Sequence, residues 1–231
     1  MSRKPVAEST RPLHAALAVV FQVRNEALNV LLWQRALPPD EGSWALPGGL
    51  LSPSETLAAS IRRHLEMKVD VRELAHLEQL ETLSEPDRNP HAWELATAYL
   101  GLVPSDADPD IPDDTRWHPV DALPPTAFDH GSIVLTGRER LRGKLSYTTI
   151  GFALAPETFT LAELRDIYAA ALGHDVSATN LKRVLLRRGA LVTTGERRDA
   201  GRAGGRPAQV FCFRSRRLEI TDPFAALRPP S

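Results

Sequence analysis

Two stretches of this chain carry residues whose types and spacing could do chemistry. In the first, Gly48 and Gly49 form a pair that lets the backbone turn and lie close to a ligand. Downstream, His64, Met67 and Lys68 fall at i, i+3 and i+4 and share one face of any helix that carries them. Glu66 does not belong to that face, since two residues from His64 is a rotation of about 200°. With no ligand partner beside it, His64 reads as a core or surface histidine. Glu55 can accept hydrogen bonds or brace the loop, and alone it makes a poor metal site. In the second stretch, Ser177 to Arg217, 11 Lys and Arg face two acids, Glu196 and Asp199, a balance of +9. Most of the cations are arginine, which bridges phosphate bidentately and reads guanine edges, so the chemistry implied is nucleic-acid binding.

The elements that must position the first group follow from apolar patterning. His14–Val23 and Leu28–Gln34 are β-branched, apolar runs joined by the polar turn Arg24-Asn25-Glu26, a strand pair. Residues 38–42 (PPDEG) are a loop leading to Trp44 and the glycines. Ser52 or Ser54 caps a helix beginning near Pro53, with Leu57, Ile61 and Leu65 as its buried stripe. Extended stretches are predicted at Leu74–Thr82 and Trp93–Val103, with a turn-rich loop over residues 85–90 between them. Pro104–Thr115 is acidic, proline-rich and aperiodic, an exposed loop. Trp117–Val120 is a last strand, and Ile133–Leu145 a closing helix weakened by a central glycine.

The second group sits on a different scaffold. Leu161, Leu164, Ile167, Tyr168, Ala171 and Leu172 fall at helical spacing, Thr160 and Glu163 make a capping box, and Gly173 ends the helix. A second helix runs from Ser177 to Arg188 with Leu181, Val184 and Leu185 inward, and Gly189 stops it. Strand Leu191–Thr194, a Gly/Arg-rich excursion from Gly195 to Arg206 and strand Gln209–Phe213 complete a winged helix-turn-helix. Thr179, Asn180, Lys182, Arg183 and Arg187 lie on the second helix, which enters the major groove in such modules, and Arg202 and Arg206 on the wing. Asn180 either reads adenine or serves as an N-terminal hydrogen bonder. RNA or protein binding is the alternative use of this half.

Composition agrees with two units of different partners. Residues 1–140 hold 13 cations and 21 acids, a balance of −8, whereas residues 141–231 hold 15 and 8, a balance of +7. The longest apolar run, Leu13–Phe21, is far short of the roughly 20 residues of a membrane span, and the N-terminus has no apolar signal region. Together with a single cysteine, Cys212, this leads us to expect a cytoplasmic protein with no membrane partner.

The stretch Trp44–Val71, WALPGGLLSPSETLAASIRRHLEMKVDV, resembles the signature of the Nudix diphosphate hydrolases, G-x5-E-x7-R-E-U-x-E-E-x-G-U with U aliphatic. Gly49, Glu55, Arg63, Leu65 and Val71 match. The three carboxylates that gather magnesium in that family are replaced by His64, Met67 and Lys68, and its glycine by Asp70. With LSYTTIGFALAPETFTLAELRDIY at the junction and GGRPAQVFCF at the wing, nearly the whole chain, Leu13 to Arg217, is similar to the Nudix-related transcriptional regulators of NAD metabolism, the NrtR family.

That resemblance implies an α+β protein. Residues 1–12 are an arm, residues 13–145 a Nudix-like α/β/α sandwich with a mixed sheet, residues 146–217 the winged helix-turn-helix and residues 218–231 a tail. It implies a homodimeric repressor of NAD biosynthesis or salvage genes, without catalytic residues, metal or resident cofactor. Its partners are a double-stranded operator with inverted repeats and ADP-ribose or a related nucleotide-diphosphate effector. Effector-binding candidates are Arg35, Trp44, Gly48, Gly49, Lys68 and Arg88, where the cations and Trp44 have structural roles as alternatives. Lys68 is either a point charge that takes the place of magnesium against a diphosphate or a solvated lysine favoured by the helix dipole. The alternative function is an active ADP-ribose pyrophosphatase with an accessory basic domain.

Overall fold

The longest apolar run of the chain becomes its central strand. In the computed structural model, which describes residues 11–199 and 207–222, β1 (Leu13–Arg24) sends alternate side chains into two interiors. Leu17, Val19 and Phe21 enter one, and Ala16, Ala18 and Val20 the other. Burial on both faces is why the strand reads as an unbroken apolar run. Asn25 and Glu26, at φ 48° and 61°, form the two-residue turn into β2 (Ala27–Gln34). Then follow β3 (Trp44–Ala45), β4 (Gly48–Leu50), helix α1 (Leu57–Val69), β5 (His76–Leu83), β6 (Glu94–Leu102) and β7 (Thr115–Pro119). The sheet order is β3-β2-β1-β6-β5, with β4 also paired to β1 and β7 to β2. β6 runs parallel to β1 and the other pairings are antiparallel, so the sheet is mixed.

Helices cover both faces. Ile61, Leu65 and Val69 of α1 pack on Ala16, Ala18, Val20 and Leu31. On the opposite face lies α2 (His130–Tyr147), with Ile133, Val134 and Leu141 in the interior that holds Val19 and Phe21. Each such side chain removed from water contributes about 1.5–3 kcal/mol. The predicted weakness at Gly137 is absent for a steric reason. A Cβ there would stand 2.9 Å from Val19 Cγ1, so the missing side chain lets the helix lie close on β1.

Two expectations are corrected here. α1 starts at Leu57, capped by Thr56, rather than near Pro53 with a serine cap. Residues 52–55 instead form a turn in which Ser52 N–H donates to Glu55 Oε1 (2.8 Å) and Glu55 N–H to Ser52 O (3.3 Å). The acidic loop after β6 is pinned to the sheet, because Gln22 Nε2 donates to Pro104 O (2.7 Å) and Ala107 O (2.6 Å). Thr115, read as part of that loop, is buried and opens β7.

The C-terminal elements are β8 (Phe159–Thr160), α3 (Leu161–Leu172), α4 (Ala178–Arg187), β9 (Leu191–Arg198) and β10 (Ala208–Phe213), with sheet order β8-β10-β9. Thr160 and Glu163 form the reciprocal capping box at the start of α3, and Gly173, at φ 75°, ends it in the left-handed conformation. Ser177 caps α4. This winged helix does not hang from a linker. A short 3-10 turn, Ile150–Ala153, carries Phe152 into the apolar cluster that also contains Phe21, Phe159, Leu164 and Phe211. One core therefore runs through both units. Residues 218–222, expected as tail, fold back on the end of α2, where Glu219 N–H donates to Thr149 Oγ1 (2.9 Å).

Candidate functional site

At the meeting of β1, β3–β4, α1 and the start of α2 lies a cleft of about 330 Å³. Its lining includes Trp33, Arg35, Gly48, Gly49, Lys68, Phe128 and His130. The glycine pair is there because nothing larger fits. A Cβ on Gly48 would meet Ala16 O at 2.2 Å, and one on Gly49 would meet His64 Cε1 at 2.5 Å. His64 is buried against that glycine, with Nε2 3.2 Å from Leu50 O. Burial, followed by the nearby charges of Arg63 and Lys68, holds its pKa below the ordinary value, which leaves the ring neutral. The core reading of His64 is the one that the structure supports.

Lys68 ends up where the solvated-lysine alternative did not put it. The side chain is half-buried, Nζ donates to Gly48 O (2.7 Å) and lies 4.3 Å from the Trp33 ring centroid. Desolvation chiefly, then Arg35 and Arg63, lowers its pKa. Glu55 faces Arg63, which donates through Nε (2.9 Å) and Nη2, and this pairing holds the carboxyl well below the usual carboxylate range.

These residues do not fit the magnesium ion that the Nudix fold implies. A hard cation needs several free oxygen ligands at 2.0–2.1 Å. Gly48 O is taken by an ammonium and both Glu55 oxygens by Arg63 and Ser52 N–H, while His64, Met67 and Lys68 bring no oxygen. Among the described residues no three His, Cys, Asp or Glu side chains are grouped to hold a metal.

Of the residues singled out in the sequence, Arg35, Gly48, Gly49 and Lys68 line the cleft together. Arg35 lies 5.0 Å from the Phe128 ring centroid and donates through Nε to Pro39 O (2.8 Å). Trp44 instead sits on β3 edge-on to His118, ring centroids 4.4 Å apart, outside the lining. Arg88 is corrected to a structural cation. Its side chain is 3% exposed, and its guanidinium spans Glu94 (2.8 Å) and Asp129 (2.9 Å). Glu94, the carboxylate among the lining residues, is thereby neutralised, and the cleft is left positive.

Sequence reasoning missed Trp33, Phe128 and His130. Trp33 lies in an apolar strand, where pattern gives no sign of a cleft. His130 lies three residues ahead of the predicted closing helix and is in fact the first residue of α2. Its Nδ1 accepts a hydrogen bond from Leu46 N–H (3.0 Å), and burial pushes its pKa down to about 4, so the neutral ring keeps its proton on Nε2.

The second candidate surface is on α4. Leu181 and Leu185 point inward, which leaves Thr179, Asn180, Arg183 and Arg187 exposed. Arg183 Nη2 donates to Asn180 Oδ1 (2.7 Å), so Asn180 braces the arginine, while its own N–H donates to Ser177 Oγ (3.3 Å) at the start of the helix. Lys182 leans on the wing strand, Nζ 5.3 Å from the Phe211 ring. Several other cations of the basic segment have structural work. Arg188 donates to Ser146 O (2.6 Å), Arg198 to Glu163 (2.7 Å), Arg214 to Gly189 O (2.8 Å) and Arg216 to Phe152 O (3.1 Å). The side chains of Arg187 and Arg197 have no partner among the described residues. Arg202 and Arg206 lie outside the described residues. No helix among the described residues is long and apolar enough to cross a membrane.

Comparison with known proteins finds relatives of both halves of the chain. Residues 12–136 match the NUDIX domain model and residues 151–213 that of the NrtR DNA-binding winged helix domain. The chain is 31% identical over 209 residues to the ADPR responsive transcriptional repressor NtrR of Acinetobacter baylyi, covering 87% of this chain and 82% of that protein. It superposes with a TM-score of 0.74 on Shewanella oneidensis NrtR complexed with a 27mer DNA, at 30% identity over 87% of this chain and 93% of that one. The NUDIX domain of the Shewanella protein complexed with ADP ribose matches 60% of this chain and 94% of its own, at 31% identity and a TM-score of 0.53. A Nudix domain and an NrtR winged helix in one chain, with a relative of this coverage, place the protein in the NrtR family of Nudix-related transcriptional regulators.

Proposed function

We propose that this protein is a DNA-binding transcriptional repressor of NAD biosynthesis or salvage genes, whose Nudix domain is the receptor for ADP-ribose or a related NAD metabolite. The observation that carries the reading is a cation-lined cleft and an exposed basic helix joined by one element, α2. His130 at its first residue lines the cleft, and Ser146 near its last accepts the hydrogen bond from Arg188, the C-cap of α4. The relatives named above, one a repressor responsive to ADPR and one crystallised with DNA, support the same assignment.

In this reading the chain is a cytoplasmic homodimer that lays two copies of α4 on an inverted repeat, with the wings on flanking phosphates. ADP-ribose changes DNA affinity by preferring one dimer geometry, and a coupling of about 1–3 kcal/mol gives a five- to 150-fold change. The cleft holds its ligand without hydrolysing it, since Glu55 is tied to Arg63 and no carboxylate stands on the His64–Lys68 face. The test is a gel-shift with duplex DNA from upstream of NAD-biosynthesis genes, with and without ADP-ribose. Specific binding over competitor DNA that changes with ADP-ribose is expected. Indifference to saturating ADP-ribose would sink the receptor role. Release of AMP and ribose phosphate during incubation with ADP-ribose and magnesium or manganese would instead make the protein a pyrophosphatase. Sedimentation of the free and operator-bound chain tests the dimer.

A further inference from the structure

The last turn of α1 carries a cation aimed into the protein. Lys68 Nζ reaches Gly48 O at 2.7 Å over the Trp33 ring, and among the described residues neither it nor Arg35 has a carboxylate within ion-pair distance. Two partly desolvated cations thus line one cleft and lack a counter-anion, an arrangement that an anionic ligand relieves. Both have donors to spare. An ammonium has three N–H groups, of which Gly48 O occupies one. Arg35 gives its Nε–H to Pro39 O, which leaves the terminal nitrogens for a phosphate oxygen pair. The oxygens that a divalent cation would need, Gly48 O and the Glu55 carboxylate, are occupied by Lys68, Arg63 and Ser52 N–H.

We propose that this cleft takes the diphosphate of its effector without a divalent cation, with the Lys68 ammonium as the resident positive charge and Arg35 as the second phosphate donor. The inference rests on the effector reading above, and it adds how the anion is held. A metal-dependent site and an ammonium site differ in what they require of the solution. The first is emptied by a chelator, whereas the second is emptied by alkali. Lys68 has a pKa below the ordinary lysine value of 10.5, so its charge, and the affinity that depends on it, is full at low pH and lost as the pH rises through that lowered value.

The experiment is calorimetric titration of the full chain with ADP-ribose in EDTA and in magnesium. We expect dissociation constants equal within about twofold in the two buffers. Lys68→Met keeps the aliphatic stem over Trp33 and removes the charge; it should weaken binding about 10- to 100-fold, and magnesium should not restore it. Lys68→Arg should recover most of the affinity and abolish its decline at alkaline pH. Thermal melting shows whether the methionine variant is folded. If it is not, the pH profiles of the natural chain and Lys68→Arg decide the matter. Tight binding only with magnesium or manganese, or an unaffected Lys68→Met, would overturn the proposal. A natural chain that binds ADP-ribose in neither buffer overturns the effector reading. Inorganic pyrophosphate then separates the two claims, since metal-free pyrophosphate binding that Lys68→Met abolishes retains the anion site, and no pyrophosphate binding removes it as well.

Discussion

Lys68 and Arg183 are the two cations proposed to meet phosphate, and their surroundings share little. Lys68 is half-buried on an aromatic floor, its direction fixed by one backbone carbonyl, and its pKa is lowered by burial. Arg183 is exposed on a helix whose opposite side is apolar, and among the described residues only Asn180 steadies it. A desolvated cation interacts strongly and over a short range with a ligand that fits. An exposed one in a row of others contributes affinity that salt screens and that tolerates different sequences. Arg88 marks a third regime, in which burial is complete and the guanidinium is wholly engaged by Glu94 and Asp129. Under the proposal, the same charge is structural when enclosed, a ligand contact when half-enclosed and a surface-steering group when open.

Arg88→Ala is the severest test of that gradation. It leaves two partly buried carboxylates unpaired, so chemical denaturation should report a loss of about 3–5 kcal/mol, and Arg88→Lys, which cannot span both acids, should rescue little. A stable Arg88→Ala variant with weakened effector binding would return Arg88 to the contact residues. Next comes His130. Its pKa is about 4 in the fold and 6.5 when exposed, so the unfolded chain binds the extra proton between those values. The stability that its neutral ring supports is full above pH 6.5 and lost as the pH falls through 4, by about 3 kcal/mol in all; His130→Gln should remove that portion of the acid dependence in pH-resolved urea melts.

The exposed end of the comparison predicts effects on binding alone. Arg183→Ala should weaken operator binding by about 1–3 kcal/mol in fluorescence anisotropy and leave the melting temperature in place. Arg187→Ala should lower the salt slope of binding by about 1 with little change between DNA sequences. A melting point that fell with either would place the residue in the structural class. The smallest effect concerns Asp70, which caps α1 at φ 49° where glycine is favoured. Asp70→Gly should stabilise the fold by about 0.5–1 kcal/mol, read as a small rise in melting temperature.

The features that could be read in advance are those decided by neighbours in sequence. Thr160 and Glu163 are three residues apart and their capping box needs nothing else. The unbroken apolar run of β1 and the Asn25-Glu26 turn likewise carry their own signals. Others depend on distant partners. Lys68 points into the cleft because Gly48 O, 20 residues away, receives it, and Arg88 turns inward because Asp129 is 41 residues away. The basic segment shows the limit of counting charge. Arg188, Arg198, Arg214 and Arg216 are engaged by carbonyls or Glu163, which no composition could reveal. The start of α1 escaped because Ser52 and Glu55 close a turn of their own, and the cap falls to Thr56, which accepts from Ala59 N–H.

α2 has a mechanical side. Its 18 residues make a rod about 27 Å long, hinged neither at Gly137, which is locked on Val19, nor at the junction, where Phe152 is embedded in the core. A tilt of about 5° at His130 displaces the Tyr147 end by about 2 Å, the scale of the helix shifts that separate states at allosteric interfaces. Leverage, more than the size of any contact, would then set how far apart two copies of α4 come to rest.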